Sequence, residues 1–343
     1  MKKVVIGVSG GVDSSVAAYL LKKEGYEVIG VTLLLCDNGE ADLQLAKDVC
    51  KQLGIEHITV DRRELFKSTI MSDFVKIYEN GGTPNPCVIC NMAVKFTEML
   101  KVADKIGADF IATGHYSAVL EKNGRFLIKR PEDKSKDQTY MLYKLTQSQL
   151  SRTLMPLNSC TKEQVRSIAQ EIGLNVANRP DSQDICFVPD GDYKGFIESF
   201  TGKKYPEGNF VSVDNKVLGK HKGIIGYTVG QRKGLGIALG KPAFVIEKNA
   251  ENNTVTISEN EELLFKTQVK IKDVNLIAFE NLQGELRVKA KLRYRHNESD
   301  ATLVMTGEKE ALLKFDEKQR AAAPGQAAVF YIDDILIGGG TIV

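Results

Sequence analysis

The chain has 343 residues, of which 43% are hydrophobic and 26% are charged. These proportions are typical of folded globular proteins and argue against a disordered or fibrous chain, and at about 150 residues per domain the length predicts two or three domains. The 46 Lys and Arg residues against 44 Asp and Glu give a net charge of +2, which is too small to indicate a polyanionic partner.

The sequence carries no pattern typical of export or membrane insertion. Its best apolar run, 28–35, has eight residues, far fewer than the roughly 20 that a membrane-spanning helix needs. The N-terminal segment reaches Asp13 too early for a secretory signal. We therefore expect a cytoplasmic protein with no membrane partner, whose six cysteines stay reduced.

The first half of the chain alternates strand and helix patterns. Short β-branched apolar runs predict strands at 4–8, 26–35, 55–60 and 110–113. Between them, helical patterns include one that ends near Gly25 and others at 41–53, 64–78 and 91–106. Strands separated by helices predict βαβ units, and hence a parallel sheet covered on both faces.

The second half of the chain is dominated by short β patterns. Asn123-Gly124 lies between two strand-like runs and predicts a hairpin, and seven glycines between 219 and 240 indicate turns. The later strand-like runs are 244–247, 254–257, 269–271, 285–294, 301–305, 327–332 and 335–337. Their density predicts one or two small, barrel-like β domains.

The segment from Ser9 to Ser15 (SGGVDSS) joins the first predicted strand to the first predicted helix. Its two glycines let the backbone turn sharply and approach a ligand, and the N–H groups at the helix start, with the serine hydroxyls, form an anion site. Asp13 is suited to hold Mg²⁺ beside phosphates. A serine-capped turn without a ligand is the alternative, but the complete string after a strand favours a nucleotide site.

Two groups of residues predict reactive thiols. Cys87 and Cys90 form a CxxC that a loop with two prolines delivers to the start of a helix, where the pKa of a thiol is lowered. Half of a zinc site or a thioredoxin-like pair are alternatives, but the sequence has no second CxxC and the predicted context is not that of thioredoxin. Cys186 stands among polar residues and is predicted to face a site. The remaining cysteines are predicted to be structural: Cys36, Cys50 and Cys160.

The phosphate loop resembles the PP-loop of the ATP pyrophosphatases, which cut ATP between the α- and β-phosphates and adenylate a substrate oxygen. Over essentially the whole chain, seven motifs in register resemble the bacterial tRNA-specific 2-thiouridylase (MnmA) family. Besides the loop, these motifs are NPCVICN from Asn85, ATGHY from Ala112, KDQTY from Lys136, DSQDICF from Asp181, YTVGQRKGLG from Tyr227 and APGQ from Ala323.

This resemblance implies the fold, the domain bounds and the activity. The fold would be a PP-loop ATPase (HUP-like, doubly wound parallel sheet) α/β domain at 1–192, a small α+β central domain at 193–264 and a C-terminal β-barrel at 265–343. The family uses ATP and Mg²⁺ to install sulfur at C2 of the wobble uridine of the tRNAs for Lys, Glu and Gln. The partners would be tRNA and a sulfur donor, either a cysteine desulfurase, a relay protein or sulfide.

The resemblance also implies site residues by position. Cys90 would be the nucleophile and Cys186 the persulfide carrier. The residues that hold ATP would be Gly7, Val8, Ser9, Gly10, Gly11, Val12, Asp13, Ser14, Gly114 and, through its backbone, Leu33. The residues that face tRNA would be Asn85, Pro86, Cys87, His115, Lys136, Asp137, Gln138, Arg293, Tyr294 and Gln326.

One position departs from the better-known family pattern, because Cys87 stands where that pattern has Asp. The variant resembles thiolases in which three cysteines hold a 4Fe–4S cluster with one open iron. Two mechanisms therefore stay open: Cys186 bears a persulfide that Cys90 helps to release through a disulfide, or Cys87, Cys90 and Cys186 bind a cluster. The third thiol favours the cluster slightly, since it has little purpose in the persulfide route.

Residues 287–295 alternate basic and apolar side chains. As one strand, they would place five cations on one face, about 6.6 Å apart, within a region, 266–296, that holds eight Lys and Arg against three Asp and Glu. Such a row suits a sugar-phosphate backbone, although a solvated edge strand is the alternative. With the resemblance, RNA binding is favoured.

A uridine carbonyl becomes reactive when its oxygen is adenylated, since AMP is then the leaving group for an incoming sulfur. The base must leave its stack to reach the pocket, so the 83–91 loop and the 181–187 segment are expected to meet at the carboxyl edge of the sheet. The alternatives are another PP-loop synthetase acting on a small molecule, which would not need three cysteines, and a non-catalytic RNA-binding module, which would leave SGGVDS unexplained.

Overall fold

The computed structural model describes residues 1–180, 184–237 and 239–343. Its strands are β1 (Lys3–Gly7), β2 (Glu27–Leu34), β3 (Glu56–Asp61), β4 (Phe110–Ala112), β5 (Ala118–Lys122), β6 (Arg125–Lys129), β7 (Thr153–Leu154), β8 (Gly208–Val211), β9 (Val217–His221), β10 (Phe244–Asn249), β11 (Thr254–Ser258), β12 (Phe265–Leu276), β13 (Glu285–Lys291), β14 (Ser299–Gly307), β15 (Glu310–Arg320), β16 (Ala327–Ile332) and β17 (Ile335–Ile342). Its helices are α1 (Val12–Lys23), α2 (Glu40–Leu53), α3 (Arg63–Phe66), α4 (Ser72–Glu79), α5 (Pro86–Cys90), α6 (Thr97–Ile106), α7 (Gln147–Leu150), α8 (Lys162–Glu171) and α9 (Tyr193–Thr201).

The N-terminal part of the described chain is an α/β domain built on a five-stranded parallel sheet in the order β3-β2-β1-β4-β7. The strands are nearly continuous apolar runs because both faces are covered. One face packs against α1, α2 and α8, and the other against α6 and part of the C-terminal sheet. The order brings the ends of β1, β2 and β4 together at one edge, where ligands bind in open α/β sheets.

Two long helical segments contain π-helical turns. Residues Lys67–Met71 join α3 to α4, and residues Asn91–Phe96 join α5 to α6. The predicted helices at 64–78 and 91–106 are therefore present, and the second begins earlier, at Pro86. π-bulges inside helices are frequent at functional sites, and the turn at Asn91–Phe96 starts immediately after Cys90.

The central domain is built on a four-stranded sheet in the order β10-β11-β8-β9, in the part of the chain that the structure describes. Its apolar side shares a core with α4, Cys90 and Phe187. The central domain is therefore packed against the segment that carries Cys90.

The C-terminal β-barrel closes through the pairing of β12 with both β15 and β17. Its described strands run in the order β12-β15-β14-β13-β16-β17-β6-β5. The predicted hairpin at Asn123-Gly124 is confirmed, with both residues at positive φ. Because β6 pairs with β17, this hairpin of the N-terminal half extends the barrel sheet.

The prediction of one strand across 285–294 is wrong at its end. β13 stops at Lys291, and Arg293 to Arg295 lie in a turn. The strand is also interior, between β14 and β16, so the edge-strand alternative is wrong as well. Only Arg287, Lys289 and Lys291 of the five cations share the strand, since the barrel closes its ladder before the row is complete.

Candidate active site

The phosphate loop follows β1 at the carboxyl edge of the parallel sheet. Gly10 has φ +73, and a Cβ there would lie 2.6 Å from the Asp42 carbonyl oxygen, so the turn requires glycine. Gly11 begins α1 without a side-chain cap, which leaves N–H groups of the first helical turn available to an anion. The Ser14 hydroxyl accepts a hydrogen bond from the Ser9 N–H at 3.1 Å and holds the loop closed.

Gly114 follows β4 and lies directly against this loop. A Cβ on Gly114 would come within 2.7 Å of the Ser14 backbone nitrogen, so only glycine allows the two backbones to approach this closely. Leu33 is near the end of the neighbouring strand β2 and is half-buried. The three predicted ATP-binding segments therefore meet at one edge.

Sequence reasoning missed Lys162, the first residue of α8. Its Nζ lies 2.7 and 2.8 Å from the two carboxylate oxygens of Asp13, and the Tyr116 hydroxyl donates to the same carboxylate at 2.9 Å. Lys162 is 5% exposed. An isolated lysine 149 residues from its partner gives no local signal in the sequence.

This ion pair bears on the predicted Mg²⁺ role of Asp13. In the structure both carboxylate oxygens of Asp13 are occupied by the Lys162 ammonium, so Asp13 does not present a free oxygen pair to a metal. The fit to Mg²⁺ would require Lys162 to move away. We therefore derive no step from a metal on Asp13.

The thiols come from three separate parts of the chain. Cys87 and Cys90 lie on α5, whose first residue is Pro86, and Cys36 stands two residues after β2. Cys186 is held by its neighbour Phe187, whose ring packs edge-on against Phe66 and Phe74 at 5.6 and 5.2 Å.

The CxxC loop and the 181–187 segment are expected to lie together. The described part of that segment, from residue 184 onward, does pack against the core that contains Cys90. Residues 181–183 lie outside the described residues. Cys90 and Phe187 belong to one buried cluster, and the charges of Cys186 and Cys90 influence each other. Cys90 therefore shares its core with the residue that follows Cys186.

Lys95, on the π-helical turn after Cys90, is a second residue that sequence reasoning missed. Its charge favours the thiolate of Cys87, Cys90 and Cys186. Although burial lowers the pKa of Lys95, the thiols of Cys90, Cys87 and Cys186 raise it overall. The single ammonium group of Lys95 thus stabilises the thiolate form of all three predicted reactive cysteines.

The prediction that the helix start lowers the pKa of the CxxC thiols is wrong. Burial raises the pKa of Cys90 to about 12, against the opposing effect of Lys95, and burial also raises the pKa of Cys87. Loss of hydration penalises the thiolate more than Lys95 favours it.

Cys186 is the thiol whose pKa falls, to about 7. The largest cause is a hydrogen bond from the Cys36 side chain, followed by an opposing effect of burial and then by Lys95 and the backbone N–H groups of Cys186 and Phe187. The same contact with Cys186 raises the pKa of Cys36. Cys36 lines the cavity beside the ends of β2 and β3, and the structural role expected for it stays a prediction.

The other two cysteines fit the structural role. Cys50 is 1% exposed in the core beneath α2, and Cys160 packs at the margin of the same cluster. Both thiols have raised pKa values because of burial.

The donor set suits an iron–sulfur cluster chemically, since three thiols lie in one neighbourhood. Among residues 1–180, 184–237 and 239–343, however, no group of three or more His, Cys, Asp or Glu side chains is arranged to hold a metal ion. We therefore derive no step through a cluster.

His115, which follows Gly114, is a neutral imidazole in this site. Burial, together with the nearby Lys95, lowers its pKa to about 3. Its Nδ1 lies 2.8 Å from the Thr113 hydroxyl, and its ring lies 6.1 Å from that of Phe96. Such a group is suited to stacking and hydrogen bonding with a base rather than to pairing with a phosphate.

Two of the segments predicted to face tRNA adjoin each other. The Tyr294 hydroxyl donates to the Asp137 carbonyl oxygen at 3.2 Å, and its ring lies 5.8 Å from that of the buried Tyr140. Gln138 is fixed by its side-chain oxygen, which accepts from the Tyr116 N–H at 2.9 Å. Lys136 ends a short 3₁₀ turn on the same surface.

Two predicted RNA contacts make internal bonds. Arg293 donates to the carbonyl oxygens of Val229 and Ala321 at 3.2 and 2.8 Å, which ties the barrel to the central domain. Arg287 forms a two-point ion pair with Asp316 at 2.9 and 2.7 Å on the barrel surface. The basic row is therefore partly neutralised by the protein itself.

Gln326 braces the CxxC loop. Its amide donates to the Thr83 and Pro84 carbonyl oxygens at 3.1 and 3.0 Å, and the Thr83 N–H donates to the Pro324 carbonyl oxygen at 2.7 Å. The barrel thus holds the loop that carries Cys87 and Cys90.

Together, a PP-loop cradle at the carboxyl edge of the parallel sheet and three cysteines around Lys95 define an ATP-using PP-loop enzyme. Family models match the chain in three consecutive parts: a tRNA methyl transferase HUP domain at residues 2–190, a tRNA methyl transferase PRC-barrel domain at 194–259 and an aminomethyltransferase beta-barrel domain at 266–342.

Curated relatives resolve the family further. The tRNA-specific 2-thiouridylase MnmA of Lachnoclostridium phytofermentans is 50% identical over 100% of both chains. MnmA 1 of Clostridium tetani is 49% identical over 99% of this chain and 96% of its own, and MnmA of Clostridioides difficile is 48% identical over 99% and 98%. The chain belongs to the tRNA-specific 2-thiouridylase MnmA family.

Solved structures give weaker likenesses. NMN synthetase from Francisella tularensis matches with a TM-score of 0.35 and 19% identity, over 59% of this chain and 78% of that one. An NH3-dependent NAD synthetase from Campylobacter jejuni matches with a TM-score of 0.33 and 15% identity, over 59% and 76%. At such low TM-scores these likenesses carry no weight.

None of the helices in the described parts of the chain combines the length and the apolar character needed to span a bilayer.

Proposed function

We propose that the protein is an AMP-forming tRNA-uridine 2-sulfurtransferase that replaces O2 of the wobble uridine in tRNAs for Lys, Glu and Gln with sulfur. The observation that carries the proposal is the Ser9–Ser15 cradle packed against Gly114 at the carboxyl edge of the sheet, in a chain that also holds Cys90 and Cys186 around one lysine, Lys95. An adenylating site beside paired thiols has the parts needed to activate an oxygen and then displace it. We expect the enzyme in the cytoplasm, with its tRNA.

In the first step, the uridine O2 attacks the α-phosphorus of ATP, and pyrophosphate leaves. N–H groups of Gly10 to Ser14 would hold the phosphates at the start of α1, where the helix dipole favours negative charge. Gly114 allows the incoming base to approach this loop without a side chain in the way. ATP is the substrate expected to bring Mg²⁺ on its own phosphates.

In the second step, sulfur attacks C2 and AMP leaves. Cys186 is proposed as the carrier of the sulfane sulfur, since it is the exposed thiol with the lowered pKa. Cys90 is proposed as the second catalytic thiol, because it lies in the same pocket near Lys95. A cysteine desulfurase or a relay protein would supply Cys186 with sulfur that is already sulfane sulfur, whereas sulfide would be a donor only for the cluster route described below, in which it needs no oxidation.

The proposed tRNA contacts follow the surface around the pocket. Asn85 to Cys87 and His115 would face the target base, while Lys136 to Gln138 and Tyr294 would contact the neighbouring backbone. Arg293 and Gln326 would support this surface mainly through the internal bonds described above.

Tests of AMP release and of thiolation distinguish the proposal from its rivals. We expect AMP release to require tRNA. AMP release without tRNA would indicate a synthetase for a small molecule, and no AMP release at all would indicate a non-catalytic RNA-binding module. Cys90→Ala and Cys186→Ala are expected to abolish thiolation, whereas Cys160→Ala is expected to retain it.

A 4Fe–4S cluster on Cys87, Cys90 and Cys186 is the second candidate for the sulfur chemistry, and the replacement of the family's Asp by Cys87 favours it. Iron and sulfide analysis after anaerobic purification tests it directly. Full activity without iron would eliminate the cluster. Cys87→Asp separates the routes, because the persulfide route should tolerate this change and the cluster route should not.

A further inference from the structure

We propose that Arg130 is a positioning residue for tRNA binding, and that the Asp137 side chain works with it inside the protein rather than on RNA. The inference rests on the proposed function, since it concerns the segment Lys136–Gln138 that would contact tRNA. Arg130 directly follows β6 and belongs to none of the seven motifs.

Arg130 lies between two carboxylates from distant parts of the chain. Its Nε is 3.3 Å from Oδ2 of Asp137, as an ion pair without a hydrogen bond to any described residue, and its Nη2 donates to Oε1 of Glu298. The side chains of Arg130, Asp137 and Glu298 are 12%, 11% and 19% exposed. Removing one member of an ion pair this buried leaves an uncompensated charge, so the arrangement depends on all its members.

A ring of further contacts fixes the Arg130 guanidinium and the Asp137 carboxylate. The guanidinium carbon lies 4.1 Å from the centre of the Tyr331 ring, and the Tyr331 hydroxyl is 3.2 Å from the Thr139 hydroxyl. Thr139 donates to Oδ1 of Asp137 from its hydroxyl at 2.6 Å and from its N–H at 2.9 Å. Tyr331 and Thr139 are both fully buried. The protein itself therefore engages both oxygens of the Asp137 carboxylate.

The same cluster supports both surfaces that are proposed to meet tRNA. The Asp137 carbonyl oxygen accepts from the Tyr294 hydroxyl at 3.2 Å. Gln138 makes two hydrogen bonds with the Tyr116 backbone, one from its N–H at 3.1 Å and one to its side-chain oxygen at 2.9 Å. Arg130 fixes this backbone through Asp137.

Charge explains why the Asp137 carboxylate needs a partner at this place. RNA phosphates are anionic, so an uncompensated carboxylate beside them would repel tRNA. Arg130 compensates that charge from within the protein. Within the Lys136–Gln138 segment, Asp137 therefore contributes the position of its backbone and not its carboxylate.

The experiment measures tRNA binding by the full-length protein at several salt concentrations, together with thiolation kinetics. We expect Arg130→Met to bind tRNA at least tenfold more weakly, to raise KM for tRNA more than it lowers kcat, and to bind ATP as the wild type does. The slope of log Kd against log salt should keep its wild-type value, because Arg130 does not touch phosphate. A slope smaller by about one would show a direct phosphate contact and overturn the positioning role, as would wild-type affinity.

Asp137→Asn tests the carboxylate by the sign of its effect. If Asp137 works with Arg130, this change weakens tRNA binding at least threefold. Adding it to Arg130→Met should cause no further loss, because the unpaired carboxylate is then removed. A carboxylate that faced RNA phosphates would give tighter binding on substitution, and independent contacts would give losses that multiply. Either result would overturn the inference.

Arg152→Met is the matched control for the loss of a guanidinium. Arg152 donates to the carbonyl oxygens of Ala108 and Asp109 before β4, at the sheet edge opposite the phosphate loop. We expect this variant to bind tRNA as the wild type does. An equal loss of affinity in Arg152→Met would show that the contacts of Arg130 are not the cause, and would overturn the inference.

Thr139→Val keeps the inference falsifiable if Arg130→Met does not fold. It removes only the hydroxyl that contacts Asp137 and Tyr331, and it should weaken tRNA binding at an unchanged salt slope. Wild-type affinity in both Thr139→Val and Asp137→Asn would overturn the role of Arg130 alone. A wild-type protein that does not bind tRNA would instead overturn the proposed function, so the two failures are distinguishable.

Discussion

The ammonium group of Lys162 spans both carboxylate oxygens of Asp13, at 2.7 and 2.8 Å. This pair ties the first turn of α8 to the first turn of α1, directly beneath the phosphate loop. Lys162 is the more buried partner, since 7% of its side chain is exposed against 33% for Asp13. The phosphate loop is therefore held by a tertiary ion pair as well as by its own backbone.

Replacing Lys162 with Met is expected to lower tRNA-dependent AMP formation at least a hundredfold. Without the ammonium, the Asp13 carboxylate would stand unneutralised beside the phosphates and repel them. Loss of one partner from a buried pair costs about 3–5 kcal/mol, and because Asp13 is partly exposed we expect a smaller loss of unfolding free energy, about 1–2 kcal/mol.

Denaturant unfolding and AMP release check the Lys162 prediction, with Lys318→Met as the matched control. Lys318 pairs with Glu262 at 3.4 Å on the exposed barrel surface, where ion pairs contribute little. Unchanged AMP formation in Lys162→Met would show that the pair is not part of the ATP site.

Adding one methyl group at Gly114 should disturb the ATP site. Gly114→Ala would place its Cβ 2.7 Å from the Ser14 nitrogen, and such overpacking typically costs about 1–3 kcal/mol. We expect ATP to bind at least tenfold more weakly, as measured by calorimetry, and the Tm to fall. Gly226→Ala is the control, because its Cβ would meet only the Lys194 side chain at 3.8 Å; equal effects in both variants would contradict the prediction.

Gln326 is expected to act on the CxxC loop before any RNA binds. Gln326→Ala removes two hydrogen bonds to loop carbonyl oxygens, at about 0.5–1.5 kcal/mol each. We expect faster amide exchange at 83–90 in the free protein and reduced thiolation.

A role of Gln326 in RNA contact alone predicts a different result. In that case, exchange in the free protein would match the wild type and only tRNA affinity would fall. Gln319→Ala, elsewhere on the barrel, should leave exchange at 83–90 unchanged.

Alkylation should distinguish Cys186 from Cys90 by pH. The hydrogen bond from Cys36, aided by Lys95, lowers the pKa of Cys186 to about 7, whereas burial raises the pKa of Cys90 to about 12. The thiolate reacts, so labelling of Cys186 should be nearly complete above pH 8 and should fall as the pH decreases through about 7.

Iodoacetamide labelling followed by peptide mass spectrometry measures this order, and Cys90 should stay unlabelled at pH 8. Lys95→Met should shift the Cys186 profile to higher pH, since a cation that favours the thiolate is lost. Faster labelling of Cys90 than of Cys186 at pH 8 would contradict the assignment of the thiolate.

Local sequence patterns were sufficient to predict much of the architecture. The β-branched runs around β1 and β2 and the SGGVDSS string fixed the parallel sheet and the phosphate loop, because buried strands and glycine turns have strong local signatures. The prediction of a strand across 285–294 was wrong at its end because a tertiary contact, which has no local signature, decides where the strand stops. Its alternation continues through Arg293 and Arg295, but the chain turns after Lys291, where tertiary contacts draw Arg293 to the carbonyl oxygens of Val229 and Ala321.

What the sequence by itself determined is the class of chemistry: a nucleotide loop, a CxxC, a further cysteine and the order of the motifs are all readable along the chain. Which groups act on one another was decided only by the tertiary structure. Lys162 reaches Asp13 across 149 residues, and the charge of Lys95 favours the thiolates of three cysteines from two distant parts of the chain. The pKa of a side chain depends on its burial and on its distance from other charges. These distances cannot be predicted from how far apart the residues stand in the sequence.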